Sequence, residues 1–168
     1  TMAQAGEDER IMAIARAAFL NESGAALCRR HAGLGDELFT PAGYREYAED
    51  LVERMVRPTL NDLVERVCRD HVRKLGYDDR LFGTMRIALT EGIEPANLAL
   101  GAAAGVLSMI KRRGELASAP ENLPESPRAL SSEALTRLLR EIWGRKTDLH
   151  ADRLIELTWR GIETLMAR

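Results

Sequence analysis

The chain has little of what usually announces a specialised protein. Two cysteines in 168 residues, Cys28 and Cys68, cannot make a disulfide framework, which excludes the small secreted disulfide scaffolds and agrees with a reducing, cytoplasmic setting. A formal net charge of −2 gives no general attraction to nucleic acid, so no such partner is expected and any anion site must be local. Aromatic residues make up only 5% and period-2 runs of β-branched residues are missing, so no strand is expected. The most apolar run, Leu98 to Ile110, spans 13 positions. That is short of the roughly 20 needed to cross a bilayer, and no membrane partner is expected. Thr1 to Arg10 is polar and acidic, with neither signal nor transit character. No G-x-G-x-x-G follows an apolar strand-like run, so no dinucleotide-binding turn is legible.

What is present suits one globular domain over residues 1–168: 45% hydrophobic and 30% charged residues are ordinary proportions. Ile11, Ile14, Ala15, Ala18, Phe19 and Leu20 at helical spacing predict one long helix from Glu7 that ends near Ala32-Gly33, with Arg29-Arg30-His31 at its negative pole. Thr40-Pro41 reads as an N-cap and a first-turn proline opening a helix to about Arg57. Further helices are expected from Leu60, from Asp78-Asp79 to Thr90, from Pro95 to about Arg112, from Ser131 to Trp143, and from Asp148 to the C-terminus. Pro120, Pro124 and Pro127 mark a flexible loop over 114–130. The fold class is therefore all-α and multi-helical, with about seven helices.

The most informative stretch is Arg57-Pro58-Thr59-Leu60-Asn61-Asp62-Leu63-Val64-Glu65-Arg66-Val67-Cys68-Arg69-Asp70-His71-Val72-Arg73-Lys74-Leu75-Gly76-Tyr77-Asp78-Asp79-Arg80-Leu81-Phe82-Gly83. Leu60, Leu63, Val64, Val67 and Cys68 recur on one helix face as candidate core, and Arg66 projects off it. The pattern breaks at Asp70-His71, and Arg73-Lys74 arrives just before Gly76. Cations are thus delivered to the ends of rigid elements, although by spacing alone a solvated face is the more ordinary reading. Cys28/His31 and Cys68/His71 each have the C-x2-H spacing of a zinc half-site. Core thiols with surface histidines explain them better, and no metal is expected. Gly101 and Gly105, inside an almost bulk-free helical run, read as a seam for close helix packing rather than a phosphate cradle.

The wording of the 57–83 stretch resembles the C-terminal domain of the long-chain polyol (mannitol) dehydrogenases. Asn21-Glu22-Ser23-Gly24-Ala25 resembles that family's "NESG" helix, and Glu91-Gly92-Ile93 with Leu98 to Ala104 its following helix. The likeness covers residues 1 to about 115 well and the rest loosely, and is strongest to the branch that interconverts mannitol 1-phosphate and fructose 6-phosphate. It implies a helical domain like those of 6-phosphogluconate dehydrogenase-like enzymes, on the substrate side of an NAD-dependent oxidoreductase. It also implies substrate-binding roles for Arg66 and Lys74, eight positions apart, which would hold oxygens of a polyol or sugar phosphate. Arg73 and Arg80 are further candidates, either for a substrate phosphate or for pairing with Asp70, Asp78 or Asp79.

The family's catalytic K-x4-N-x2-H helix has no counterpart, because Lys74, Lys111 and Lys146 lack Asn and His at the required offsets. The resemblance therefore implies that NAD and the catalytic lysine belong to an N-terminal Rossmann domain and adjoining helix of a parent chain. On these residues no catalytic group and no cofactor site are expected, and the fragment alone should be inactive. A mannitol 2-dehydrogenase or hexuronate reductase is the alternative within the enzyme class; a non-catalytic helical interaction module is the alternative outside it.

Overall fold

The computed structural model describes residues 1–60, 63, 64, 69–146 and 148–167. It is 73% helical, and no strand occurs among the described residues. The helices are α1 (Met2–Gly6), α2 (Glu9–Arg16), α3 (Ala25–His31), α4 (Pro41–Met55), α5 (His71–Lys74), α6 (Arg80–Thr90), α7 (Ala96–Lys111), α8 (Ser132–Trp143) and α9 (Ala151–Met166). They gather in two compact units, one of residues 1–69 and 87–97, the other of 70–86 and 98–168.

In the first unit, capping chemistry sets the helix starts. The Asp8 carboxylate accepts the N–H groups of Arg10 and Ile11 at 2.9 and 3.3 Å, and Thr40 Oγ1 accepts that of Gly43 at 3.1 Å, with Pro41 in the first turn as the sequence predicts. The long N-terminal helix is more complicated than its periodicity suggests. Between α2 and α3 the chain winds as a π-helix, Ala17–Gly24, and it ends in a 3-10 turn at Ala32–Leu34. Wider winding is uncommon and concentrates at functional segments.

By length and composition the Glu9–Leu34 run, 26 residues, also meets the requirement for crossing a bilayer, a test that core helices of this length pass as well. Within it Met12, Glu22, Ser23 and Ala26 are buried against other parts of the protein. The expected core stripe from Leu60 onward is corrected at two positions, since Leu63 and Val64 are 52% and 40% exposed. An apolar stripe shows that a face favours cover, not that this chain supplies it.

In the second unit the core is built from α7, α8 and α9 together with Phe82 and Met85 of α6, both fully buried. Leu135, Leu138, Leu139 and Trp143 of α8, and Leu154, Ile155, Thr158 and Ile162 of α9, recur at helical spacing and are buried. α9 packs tightly on α7 at Gly161, where a Cβ would lie 2.9 Å from Ala103 Cβ and 3.0 Å from the Ala99 carbonyl oxygen. The small-residue run thus serves close helix packing, although Ala99 and Ala103 take the nearest contact while Gly105 receives the Leu75 side chain.

α9 starts at Ala151, three residues later than the sequence suggests. Asp148 is instead engaged by the hydroxyl of Tyr77 and by Arg86, at 2.7 Å from Nη2. The proline-rich segment after α7 is irregular and anchored: the Glu141 carboxylate accepts the N–H groups of Glu121 and Asn122 at 2.6 and 2.8 Å, and Leu123 is buried.

Candidate functional site

The basic turn lies in the second unit. Asp70 has φ 61° and ψ 42°, a left-handed conformation uncommon outside glycine, and α5 follows it for only four residues. The short helix is held from several sides. Leu75 is 1% exposed, its carbonyl accepts a hydrogen bond from Trp143 Nε1 at 2.9 Å, and Gly76 N–H closes onto the Arg73 carbonyl at 2.9 Å. Lys74 is therefore presented, half-buried, from a well-anchored turn rather than a loose loop.

The four expected substrate residues fare differently. Arg66 lies outside the described residues. Arg73 points to acids, with Nη1 at 3.1 Å from Asp79 and Nη2 at 3.8 Å from Asp70, so pairing is the alternative the geometry displays for it. Arg80, the first residue of α6, is exposed, and among the described residues no acid pairs with it. Lys74 sits on the same turn as Arg73.

His71 corrects the expectation of surface histidines. It is 7% exposed, and its Nε2 lies 2.9 Å from Ser108 Oγ on α7. Burial pushes the imidazole below its ordinary pKa, reinforced by the charges of Arg112 and Lys74 and partly opposed by those of Glu115 and Asp70. The zinc spacing finds no cluster either. The His31 ring packs on Phe39 at 4.6 Å, Cys68 lies outside the described residues, and among those described no three His, Cys, Asp or Glu side chains gather as a metal site.

Two features escaped sequence reasoning. The first is a polar knot in the second unit. Arg86 lies over the Tyr77 ring at 4.2 Å and bonds Asp78 and Asp148, both at 2.7 Å, while Tyr77 donates to Asp148. Burial alone would raise the Asp148 carboxyl, but the Tyr77 hydroxyl, the His150 N–H and Arg86 outweigh it and lower its pKa to about 2. No local pattern could show this, because the partners are 62 and 71 positions apart.

The second lies in the first unit and unites two motifs. Glu22 of the π-helix, 4% exposed, accepts from the Asn97 backbone N–H at 2.7 Å and from Asn97 Nδ2 at 2.8 Å, placing its carboxylate at the start of α7. Beside it, Ser23 Oγ is 3.3 Å from Tyr44 OH, and Gly24 lies under the Tyr44 ring, where a Cβ would come within 2.4 Å. Only glycine admits that approach. Arg29 Nη1 donates to the Glu91 carbonyl at 2.8 Å, so the Asn21–Gly24 and Glu91–Asn97 segments form one clamp.

The turn that presents Lys74 offers a half-buried cationic donor of the kind that holds an anionic or polyhydroxylated ligand. The fold defines an all-helical, multi-helical domain. The chain belongs to the mannitol dehydrogenase C-terminal domain family, which matches residues 1–118. It is 35% identical over 127 residues to the mannitol-1-phosphate 5-dehydrogenase of Anoxybacillus flavithermus, covering 75% of this chain and 32% of that protein. It is 34% identical over 106 residues to the enzyme of that name from Exiguobacterium, covering 63% and 26%. The one from Halalkalibacterium halodurans is 43% identical over 63 residues, covering 38% and 17%. The chain spans about a third or less of the length of these curated relatives.

Proposed function

We propose that this chain is the substrate-side domain of an NAD-dependent polyol-phosphate dehydrogenase that interconverts mannitol 1-phosphate and fructose 6-phosphate. The carrying observation is that the family match runs unbroken across the turn that presents Lys74. On this reading Arg66 and Lys74 hold substrate oxygens, the arginine as a planar fork of donors and the lysine as a compact charge. Arg73 and Arg80 flank them as the nearest further cations for a phosphate. An arginine, or a lysine that is not strongly desolvated, cannot readily take the hydroxyl proton near neutral pH, so on this reading Arg66 and Lys74 orient the substrate and proton transfer belongs to a desolvated lysine outside these 168 residues.

The residues present do not fit NAD. Among those described there is no strand and no glycine-rich strand-to-helix turn to hold a pyrophosphate, so the cofactor belongs to a nucleotide-binding domain of the parent chain. The test is direct. The full parent protein should oxidise NADH with fructose 6-phosphate and much more slowly with fructose, while the 168 residues alone should neither turn over nor bind NADH. Turnover by the 168 residues alone, or a parent indifferent to the phosphate, would overturn the assignment.

A further inference from the structure

Lys74 is carried by a helix too short to hold itself. Four residues close only the first i→i+4 bonds, Lys74 N–H to the Asp70 carbonyl and Leu75 N–H to that of His71, each 2.9 Å, and a nucleus of that size is unfavourable alone. It is also entered through Asp70 in the left-handed region, a conformation that persists only when surrounding contacts over-determine it. The direction in which Lys74 points therefore depends on what the neighbouring side chains grip.

Two of those side chains are buried, Leu75 and His71. Leu75 packs against Gly105, and an apolar contact resists rotation weakly. His71 supplies the directional link, its Nε2 lying 2.9 Å from Ser108 Oγ on the sixteen-residue α7. The charged groups around the imidazole are Lys74 and Asp70 on its own turn, and Arg112 and Glu115 from the end of α7 and the turn after it; Arg112 Nη1 is 3.4 Å from Glu115.

We propose that His71 is a positioning residue: through Ser108 it aims the turn that carries Lys74, and so sets affinity for substrate oxygens without touching the substrate. This rests on the reading of Lys74 as a substrate donor. A neutral imidazole offers one donor and one acceptor and suits a single hydroxyl partner. Proton uptake would add a third positive charge to those of Lys74 and Arg112, which already act on the ring, and push the turn away.

The experiment uses the full parent enzyme with fructose 6-phosphate and NADH, and compares Lys74→Ala, Ser108→Ala, Ser108→Thr and His71→Gln. Ser108→Ala should raise KM for the sugar phosphate about five-fold, with KM for NADH unchanged. Ser108→Thr, which keeps the hydroxyl, should restore it to within about two-fold. In the unmodified enzyme KM for the sugar phosphate should climb as the imidazole gains its proton, and His71→Gln, which cannot titrate, should flatten that acid limb.

If Lys74→Ala raises KM while Ser108→Ala and His71→Gln leave both KM and its pH profile unchanged, the positioning role is overturned and the reading of Lys74 stands. If Lys74→Ala leaves KM unchanged, that reading fails and the positioning role with it. A Ser108→Ala variant that lowers only the melting temperature also overturns the proposal. Should Ser108→Ala fail to fold, the acid limb of His71→Gln decides alone.

Discussion

Glu22 and Asn97, 75 positions apart in sequence, are joined by two hydrogen bonds of 2.7 and 2.8 Å to a single carboxylate oxygen. The pair ties the π-helical segment to the first turn of α7, and the carboxylate is almost wholly removed from water. Glu22→Ala would leave both Asn97 donors without this acceptor, at a cost of about 1–3 kcal/mol. Glu22→Gln retains one carbonyl acceptor and should lose distinctly less. Urea unfolding midpoints of the two variants check the order, and equal losses would show that the space filled by the side chain matters rather than the oxygen.

Gly161 gives a second expectation, with opposing effects to weigh. Alanine is favoured over glycine inside a helix by about 1 kcal/mol, so Gly161→Ala on an open face would stabilise. Here the added Cβ would stand 2.9 Å from Ala103 Cβ and 3.0 Å from a backbone oxygen, and neither can be relieved by turning a side chain. Overpacking of this kind costs about 1–3 kcal/mol, so the net effect should be destabilising, and Gly161→Val should be worse. A rise in melting temperature for Gly161→Ala would mean that α9 can slide without loss.

Acid should weaken the protein in two stages. The His71 imidazole is lowered from its ordinary 6.5 by burial and then by Arg112 and Lys74, so the unfolded chain binds that proton more readily. Its contribution is present above 6.5 and is lost as pH falls through that value toward the lower folded one. Asp148 has the same sign: burial opposes, but Tyr77, His150 and Arg86 hold it at about 2 against 3.8, so its contribution is lost as pH falls from 3.8 towards 2. Urea midpoints against pH should show both limbs. His71→Gln should flatten the first, while Asp148→Asn should flatten the second and lower stability near neutrality.

The helical architecture was legible because it rests on local chemistry. Thr40-Pro41, Ser131 and Glu91-Gly92 act as caps and stops where the sequence places them, and the α8 and α9 core stripes follow from their period. The π-winding of Ala17–Gly24 was not legible, since its residues suit an ordinary helix and the contacts made from it, Glu22 to Asn97 and Gly24 under Tyr44, are tertiary. The burial of His71 is not legible for the same reason: Ser108 is 37 positions away, and no local pattern marks the bond. Of the candidate site, Lys74 was named through the family wording, whereas the contacts that anchor its turn are tertiary and became visible only in the fold.

The last expectation concerns the cations themselves in the parent enzyme. If Arg66 and Lys74 hold substrate oxygens, removing either leaves those oxygens without a charged donor, a loss of about 1.5–3 kcal/mol. At about 1.36 kcal/mol per tenfold in rate, Arg66→Ala or Lys74→Ala should lower kcat/KM for the sugar phosphate roughly ten-fold to more than a hundred-fold, with NAD affinity barely changed. Arg73→Ala is the informative contrast. Its guanidinium already faces Asp79 and Asp70, so its removal should cost mainly the small stability of an exposed ion pair, up to about 1 kcal/mol. Steady-state kinetics beside thermal melts separate the two effects. Near-normal kcat/KM in both the Arg66 and Lys74 variants, or activity falling only in step with unfolding, would remove these residues from the substrate site.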